Sequence, residues 1–182
     1  MGIFDFNKKN KLKSPADFYK ECIEDFHKEA NKHEVATRGL IFIPELVPLG
    51  EKTILAYLRD PYYITESKGD PKIFYYTVMN NSLKAGMALA TQWHEDVSKL
   101  DMYVDEVILG GPSIIGYSLL KKHFSEEIHK NFGEEFYKTI YARWLVLHEP
   151  YWVLNDPREY TFKAMLAAYQ LGVSMILEKY GY

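Results

Sequence analysis

The chain has 182 residues, of which 47% are hydrophobic, and its formal net charge at pH 7 is −3. This length favours one domain that buries a sizeable core, and the near-neutral charge gives no electrostatic reason to expect nucleic acid as a partner. Cys22 is the only cysteine, so an internal disulfide is excluded and a reducing, cytoplasmic location is expected.

The first residues form a short basic segment, with "NKKNKLK" spanning positions 7–13. A run of this kind predicts a flexible basic tail over 1–13, followed by a single helical domain over 14–182. Its charges follow the apolar residues, which does not match a signal peptide. The apolar run Ala164–Leu177 is too short to cross a bilayer, so no membrane span is expected.

Three positions carry the signature of a helix start, a capping side chain followed by proline. They are Ser14-Pro15, Asp70-Pro71 and Asp156-Pro157. Apolar residues at helical spacing then predict three helices. These helices run from Pro15 to about Ala36, from Pro71 to about Leu100, and from Pro157 to about Lys179.

Two of these helices carry packing information. Gly86 lies among small residues in the long second helix, which favours a close helix neighbour. The last helix is expected to be largely buried because only a narrow band of its surface is polar. That band consists of Lys163, Gln170, Ser174 and Glu178.

The remaining segments complete an all-α assignment. Further helices are predicted from Pro112 to Phe124 and from about Ser125 to His148. Residues 37–69 are ambiguous: they are expected to hold an irregular or strand segment, and "KTILAYL" fits a strand or a short helix. The predicted fold is therefore all-α or nearly so, a compact single-domain bundle of five to seven helices.

Metal-binding motifs are incomplete. The zincin pattern that begins at His94 needs a second histidine where the chain has Ser98. Two Glu-x-x-His pairs occur, Glu24 with His27 and Glu126 with His129, but the first lies opposite the apolar side of its helix and the second lies in a charged run. We therefore expect no metal site and no cofactor.

Two polar residues fall on or beside apolar helix faces. His94 lies at the edge of the apolar face of the long helix, where it is either a border residue or a ligand-binding or acid–base group. Arg143 falls inside the apolar stripe of a predicted helix, and Asp96 or Glu149 could be its partner. Arg143 is then a structural ion-pair residue, a recognition residue for a carboxylate or phosphate, or a side chain that reaches water.

Aromatic residues also mark two connectors. The first is the connector after the helix that ends at His148, which is either a packed corner of the core or the rim of a site. The second is a predicted loop that contains a pair of tyrosines. The candidate binding residues of these connectors are His148, Glu149, Tyr151, Trp152, Tyr62 and Tyr63.

Two functions fit these patterns. The first is a small soluble helical module that binds another protein, such as a neutralising or immunity-type partner or a regulatory adaptor, because tyrosines favour interfaces and no complete catalytic set is present. The second is a small-ligand binder or hydrolase-like enzyme with a pocket between helices, lined by His94, Arg143, His148 and Trp152. Convergence of those side chains on one cavity would favour the second.

Overall fold

A computed structural model describes residues 13–32, 39–59, 71–110 and 158–182. These residues form five α-helices and one short 3-10 helix at 97–99, without any strand, which confirms the all-α prediction for the described part of the chain. The helices are α1 (Pro15–Lys32), α2 (Leu46–Arg59), α3 (Pro71–Glu95), α4 (Leu100–Gly110) and α5 (Arg158–Lys179). No helix among these residues is both long enough and apolar enough to cross a membrane.

The predicted start of α1 is confirmed by its cap. The backbone N–H of Asp17 donates to the hydroxyl of Ser14 at 3.2 Å, and that hydroxyl donates to the Asp17 carboxylate at 2.7 Å. One orphan N–H of the first turn is thereby satisfied. The helix buries Cys22, Ile23, Phe26 and Ala30 as the periodicity predicts, and Glu24 is exposed as expected.

The strand alternative for "KTILAYL" is wrong, because these residues belong to α2. The buried residues of α2 recur at steps of three and four positions, which is the spacing of one helix face and not of a strand. They are Leu46, Gly50, Thr53, Ile54 and Tyr57. Residues 39–45 contain no helix or strand, so the expectation of an irregular segment is confirmed there.

The long helix ends earlier than its apolar period predicts. Asp96 has extended backbone angles, φ −160° and ψ 91°, and it caps the 3-10 helix by accepting a hydrogen bond from the Ser98 N–H at 3.1 Å. The prediction that the helix continues through Asp96 to about Leu100 is therefore wrong. Its carboxylate pairs with Lys99 at 2.9 Å, and hydrogen bonds from Lys99 and Ser98 hold its pKa below the usual range.

The core is built on the contact between α3 and α5. A Cβ added to Gly86 would overlap the carbonyl oxygen of Tyr169, and a Cβ added to Gly172 would overlap that of Leu83. We call this contact, formed by Gly86 and Gly172, the glycine crossing. The close neighbour predicted for Gly86 is confirmed. Because Gly86 lies near Gly172 and His94 near Tyr180, the two helices run in the same direction.

The residues of the polar band predicted on α5 differ in their exposure to solvent. Lys163 and Glu178 are partly exposed, but Gln170 and Ser174 are buried, with exposed fractions of 4% and 0%. They bind the segment 39–45, which we call the strap. The backbone N–H of Ile41 donates to the Ser174 hydroxyl at 2.9 Å, and the Gln170 amide donates to the Ile41 carbonyl at 2.5 Å. Buried polar groups are thus satisfied by a chain segment distant in sequence.

Candidate functional site

Four rings meet at the surface where α3 ends and the chain leaves α5. The imidazole of His94 stacks on Tyr180 with ring centroids 3.7 Å apart, and Tyr182 meets His94 and Trp93 edge-on at 5.8 and 5.6 Å. We call these four residues the aromatic corner. His94 is exposed, and Tyr182 keeps 56% of its surface accessible to water, so the cluster presents ring surface outward.

The turn after α5 fixes the position of Tyr182. Gly181 has φ 89°, its N–H donates to the Glu178 carbonyl at 2.9 Å, and the Tyr182 N–H donates to the Leu177 carbonyl at 3.1 Å. This pair of bonds is the Schellman ending, which needs a left-handed residue and therefore favours glycine. The reversal directs Tyr182 back toward α3, where its hydroxyl lies 3.4 Å from His94 Nδ1.

The carboxylate of Glu95 affects the pKa of one tyrosine of the aromatic corner and of one tyrosine of α4. Burial raises the pKa of Tyr180, and the nearby carboxylate of Glu95 raises it further. Burial together with the carboxylates of Glu106 and Glu95 raises the pKa of Tyr103 to about 12. Glu95 thus raises the pKa of both tyrosines, and in the chain it lies directly after His94 and five residues before the start of α4.

The exposed side of α4 continues this surface. Its exposed residues fall within an arc of about 140° when the helix advances about 100° per residue. We call this arc the acidic face, and it consists of Asp101, Met102, Asp105, Glu106 and Leu109. Lys52 of α2 pairs with Asp105 at 2.7 Å, and both side chains are more than half exposed.

Of the residues predicted as binding candidates, the described part of the chain contains His94 alone. The others lie outside the described residues, so their convergence with His94 stays a prediction. They are Arg143, His148, Glu149, Tyr151, Trp152, Tyr62 and Tyr63. No sequence motif marks Trp93, Tyr180 and Tyr182 as site residues, although a glycine after a helix end, here Gly181, is a signal for the turn that places Tyr182.

Other chemical groups of the described residues form no comparable site. Within the ranges that the structure describes, no cluster of three or more His, Cys, Asp or Glu side chains could hold a metal ion. Cys22 is fully buried, and burial raises the pKa of its thiol, which disfavours the reactive thiolate. A shallow, open hollow on α1 is lined wholly by charged side chains, without the apolar walls of a ligand pocket. Its lining residues are Lys13, Asp17, Lys20, Glu21 and Glu24.

The aromatic corner thus offers ring faces and an imidazole at an exposed position, with the carboxylate of Glu95 next to His94 in the chain. Exposed aromatic and charged groups of this kind are suited to contact with another macromolecule. Comparison with models of protein families, with curated proteins and with solved structures finds no match for this chain.

Proposed function

We propose that this protein is a helical module that binds another protein through the aromatic corner. The observation that carries the proposal is the ring cluster of Trp93, His94 and Tyr182, in which Trp93 is partly buried and the other two are exposed. The packing of α3 against α5 holds this cluster in place. Tyrosine and tryptophan are enriched among the residues that dominate binding energy, because they bury large areas at a small cost in rotamer entropy.

The support is the combination of rigidity and exposure. His94 and Trp93 project from the last turn of a long helix, and Tyr182 follows a turn with two backbone hydrogen bonds. Binding therefore requires little ordering of these rings, which removes part of the entropic cost of association. Glu95 beside the rings adds a negative charge that favours a cationic group on the partner.

The alternative, a pocket lined by His94 with Arg143, His148 and Trp152, remains a prediction. The described contacts of His94 are with tyrosine rings at an exposed position, which gives this alternative no additional support.

Photocrosslinking tests the proposal. A benzoylphenylalanine introduced at Tyr182 replaces one exposed ring by another and should crosslink to a defined partner in an extract of the native host. The matched control places the same probe at Lys20, an exposed position on α1. We expect a discrete product from position 182 that is absent from position 20.

A second variant secures the assignment. Adding His94→Ala to the probe-bearing chain removes the ring that Tyr182 contacts, and it should reduce the yield of the crosslink while the circular dichroism spectrum is unchanged. If position 182 yields no discrete product, or the same products as position 20, the aromatic corner is not a protein-binding site.

A further inference from the structure

The acidic face of α4 is apolar as well as charged. Met102 is 59% exposed and Leu109 is 87% exposed, although the opposite side of the same helix buries Leu100, Val104 and Val107. Met102, Glu106 and Leu109 follow one another at steps of four and three residues, so they form a line along the helix. This line offers two apolar contacts about two helical turns apart.

The net charge of this surface is negative. Between positions 95 and 109 the chain carries five carboxylates and one lysine, and Lys52 adds one cation from α2. The resulting excess of three negative charges equals the formal net charge of the whole chain. The near-neutral composition thus conceals a local concentration of negative charge beside exposed apolar side chains.

We propose that the acidic face binds a basic amphipathic helix of a protein partner. This inference rests on the proposed function, because only residues 95–99 separate His94 of the aromatic corner from the start of α4, which carries the acidic face. Apolar side chains of the partner helix would cover Met102 and Leu109, while flanking lysines or arginines would lie against Asp101 and Glu106. An amphipathic partner helix carries apolar and charged side chains, and the acidic face of α4 offers a complementary contact for each kind.

Charge complementarity favours a basic helix over an acidic or uncharged helix as the partner of the acidic face. An acidic partner helix would place like charges opposite Asp101 and Glu106, which is unfavourable in a partly desolvated contact. An uncharged apolar helix would leave those carboxylates desolvated without partners. Met102 suits the contact because its thioether chain is flexible and adapts to differently shaped apolar groups.

A designed peptide tests the proposal without knowledge of the natural partner. The probe is a fluorescent peptide of about 14 residues, four helical turns, with leucine at helical spacing and lysine elsewhere. Its two comparison peptides replace lysine by glutamate or scramble the leucine spacing. Fluorescence anisotropy should show that the full-length protein binds the lysine peptide roughly tenfold more tightly than either comparison peptide.

Two double variants of the protein localise the contact. Asp101→Lys with Glu106→Lys reverses the charge, and Met102→Ser with Leu109→Ser removes the apolar line. Each should weaken binding of the lysine peptide by roughly tenfold, and the charge variant should also reduce the dependence of binding on salt. The matched control, Asp17→Lys with Glu24→Lys on exposed positions of α1, should bind like the parent.

Each other result overturns the inference. Absence of binding, equal binding of the glutamate peptide, or equal weakening by the α1 control would show no selective site on α4. Self-association in sedimentation that the Met102→Ser and Leu109→Ser variant abolishes would show that copies of the chain cover this face instead. A crosslink from position 182 that persists when the peptide fails to bind would leave the proposed function intact and reject only the basic-helix partner.

Discussion

The helix pair α3 and α5 has two different contacts, the glycine crossing in its middle and the aromatic corner at its end. At the crossing, Gly86 and Gly172 let backbone atoms of the two helices approach directly, and the residues around them are buried. At the corner, the end of α3 meets the turn after α5 through the rings of His94, Tyr180 and Tyr182, part of whose surface is exposed.

The glycine crossing and the aromatic corner therefore differ in the amino-acid substitutions that they can tolerate. Backbone atoms cannot move aside without displacing a whole helix, so even one extra methyl group at the crossing is costly. Ring contacts at a surface can adjust by small rotations, and water can occupy any gap. A binding surface can therefore be built at the corner without loss of the core, which agrees with the function proposed for it.

The largest expected effect comes from Gly86→Ala. Alanine favours a helix over glycine by about 1 kcal/mol in isolation. Here the new Cβ meets the Tyr169 carbonyl, and we expect the free energy of unfolding to fall by about 3 kcal/mol. The control is Gly39→Ala, where no atom lies within 4 Å of the added Cβ, with a change of about 0.5 kcal/mol or less. Equal urea midpoints for the two variants would contradict the close crossing.

The strap gives the next effect. Ser174→Ala leaves the Ile41 N–H without its acceptor in a partly buried position, and we expect a loss of about 2 kcal/mol. Ser98→Ala, which changes an exposed hydroxyl of the 3-10 helix, should cost about 0.5 kcal/mol or less. Amide hydrogen exchange at Ile41 should accelerate in the first variant alone; unchanged exchange there would show that Ser174 does not hold the strap.

Alkaline pH should weaken the buried core. Burial raises the pKa of the Cys22 thiol above its ordinary value of 9.0, so the unfolded chain releases this proton at a lower pH than the folded chain does. The stability is complete below about pH 8 and falls as the pH rises, by about 1.4 kcal/mol from this group at pH 10. Cys22→Ala should lack this contribution and show a shallower decline. Parallel pH profiles in denaturant titrations would contradict the burial of the thiol.

The smallest effect is expected at the aromatic corner. His94→Ala and Tyr182→Ala should each lower the free energy of unfolding by about 0.5–1 kcal/mol, because the rings stay partly in water. A double-mutant cycle of the two positions should give a coupling of about 0.5 kcal/mol. A loss as large as that of Gly86→Ala would show that the corner is part of the core and would erase the contrast between the two contacts.

Local signals in the sequence predicted much of the helical framework. The Ser14 cap, the proline at position 71 and Gly181 mark helix ends correctly, because each acts through its own backbone geometry. The break at Asp96 was missed because the apolar period continues past it. The side chain of Asp96 can either continue the apolar helix or cap a new one. Its hydrogen bonds with Ser98 and Lys99 favour the cap, so the long helix ends there.

The candidate site was predicted only at His94. Trp93 and Tyr180 fall at the helical spacing of apolar residues, which is typical of core positions, and Tyr182 belongs to no periodic pattern. Their meeting depends on the parallel direction of α3 and α5, which brings the two helix ends together. Periodicity within one helix carries no information on the direction of its neighbour.

Local features of the chain are sufficient to predict the helical class, the cap at Ser14, the close neighbour of Gly86 and the absence of an internal disulfide. The tertiary structure alone decided that Gln170 and Ser174 bind the strap, and that the rings of α3 and α5 form one surface. The two kinds of feature differ in the sequence separation over which their interactions act. Caps and periodicity arise from interactions over a few residues, whereas burial and ring contacts depend on which segments the whole chain brings together.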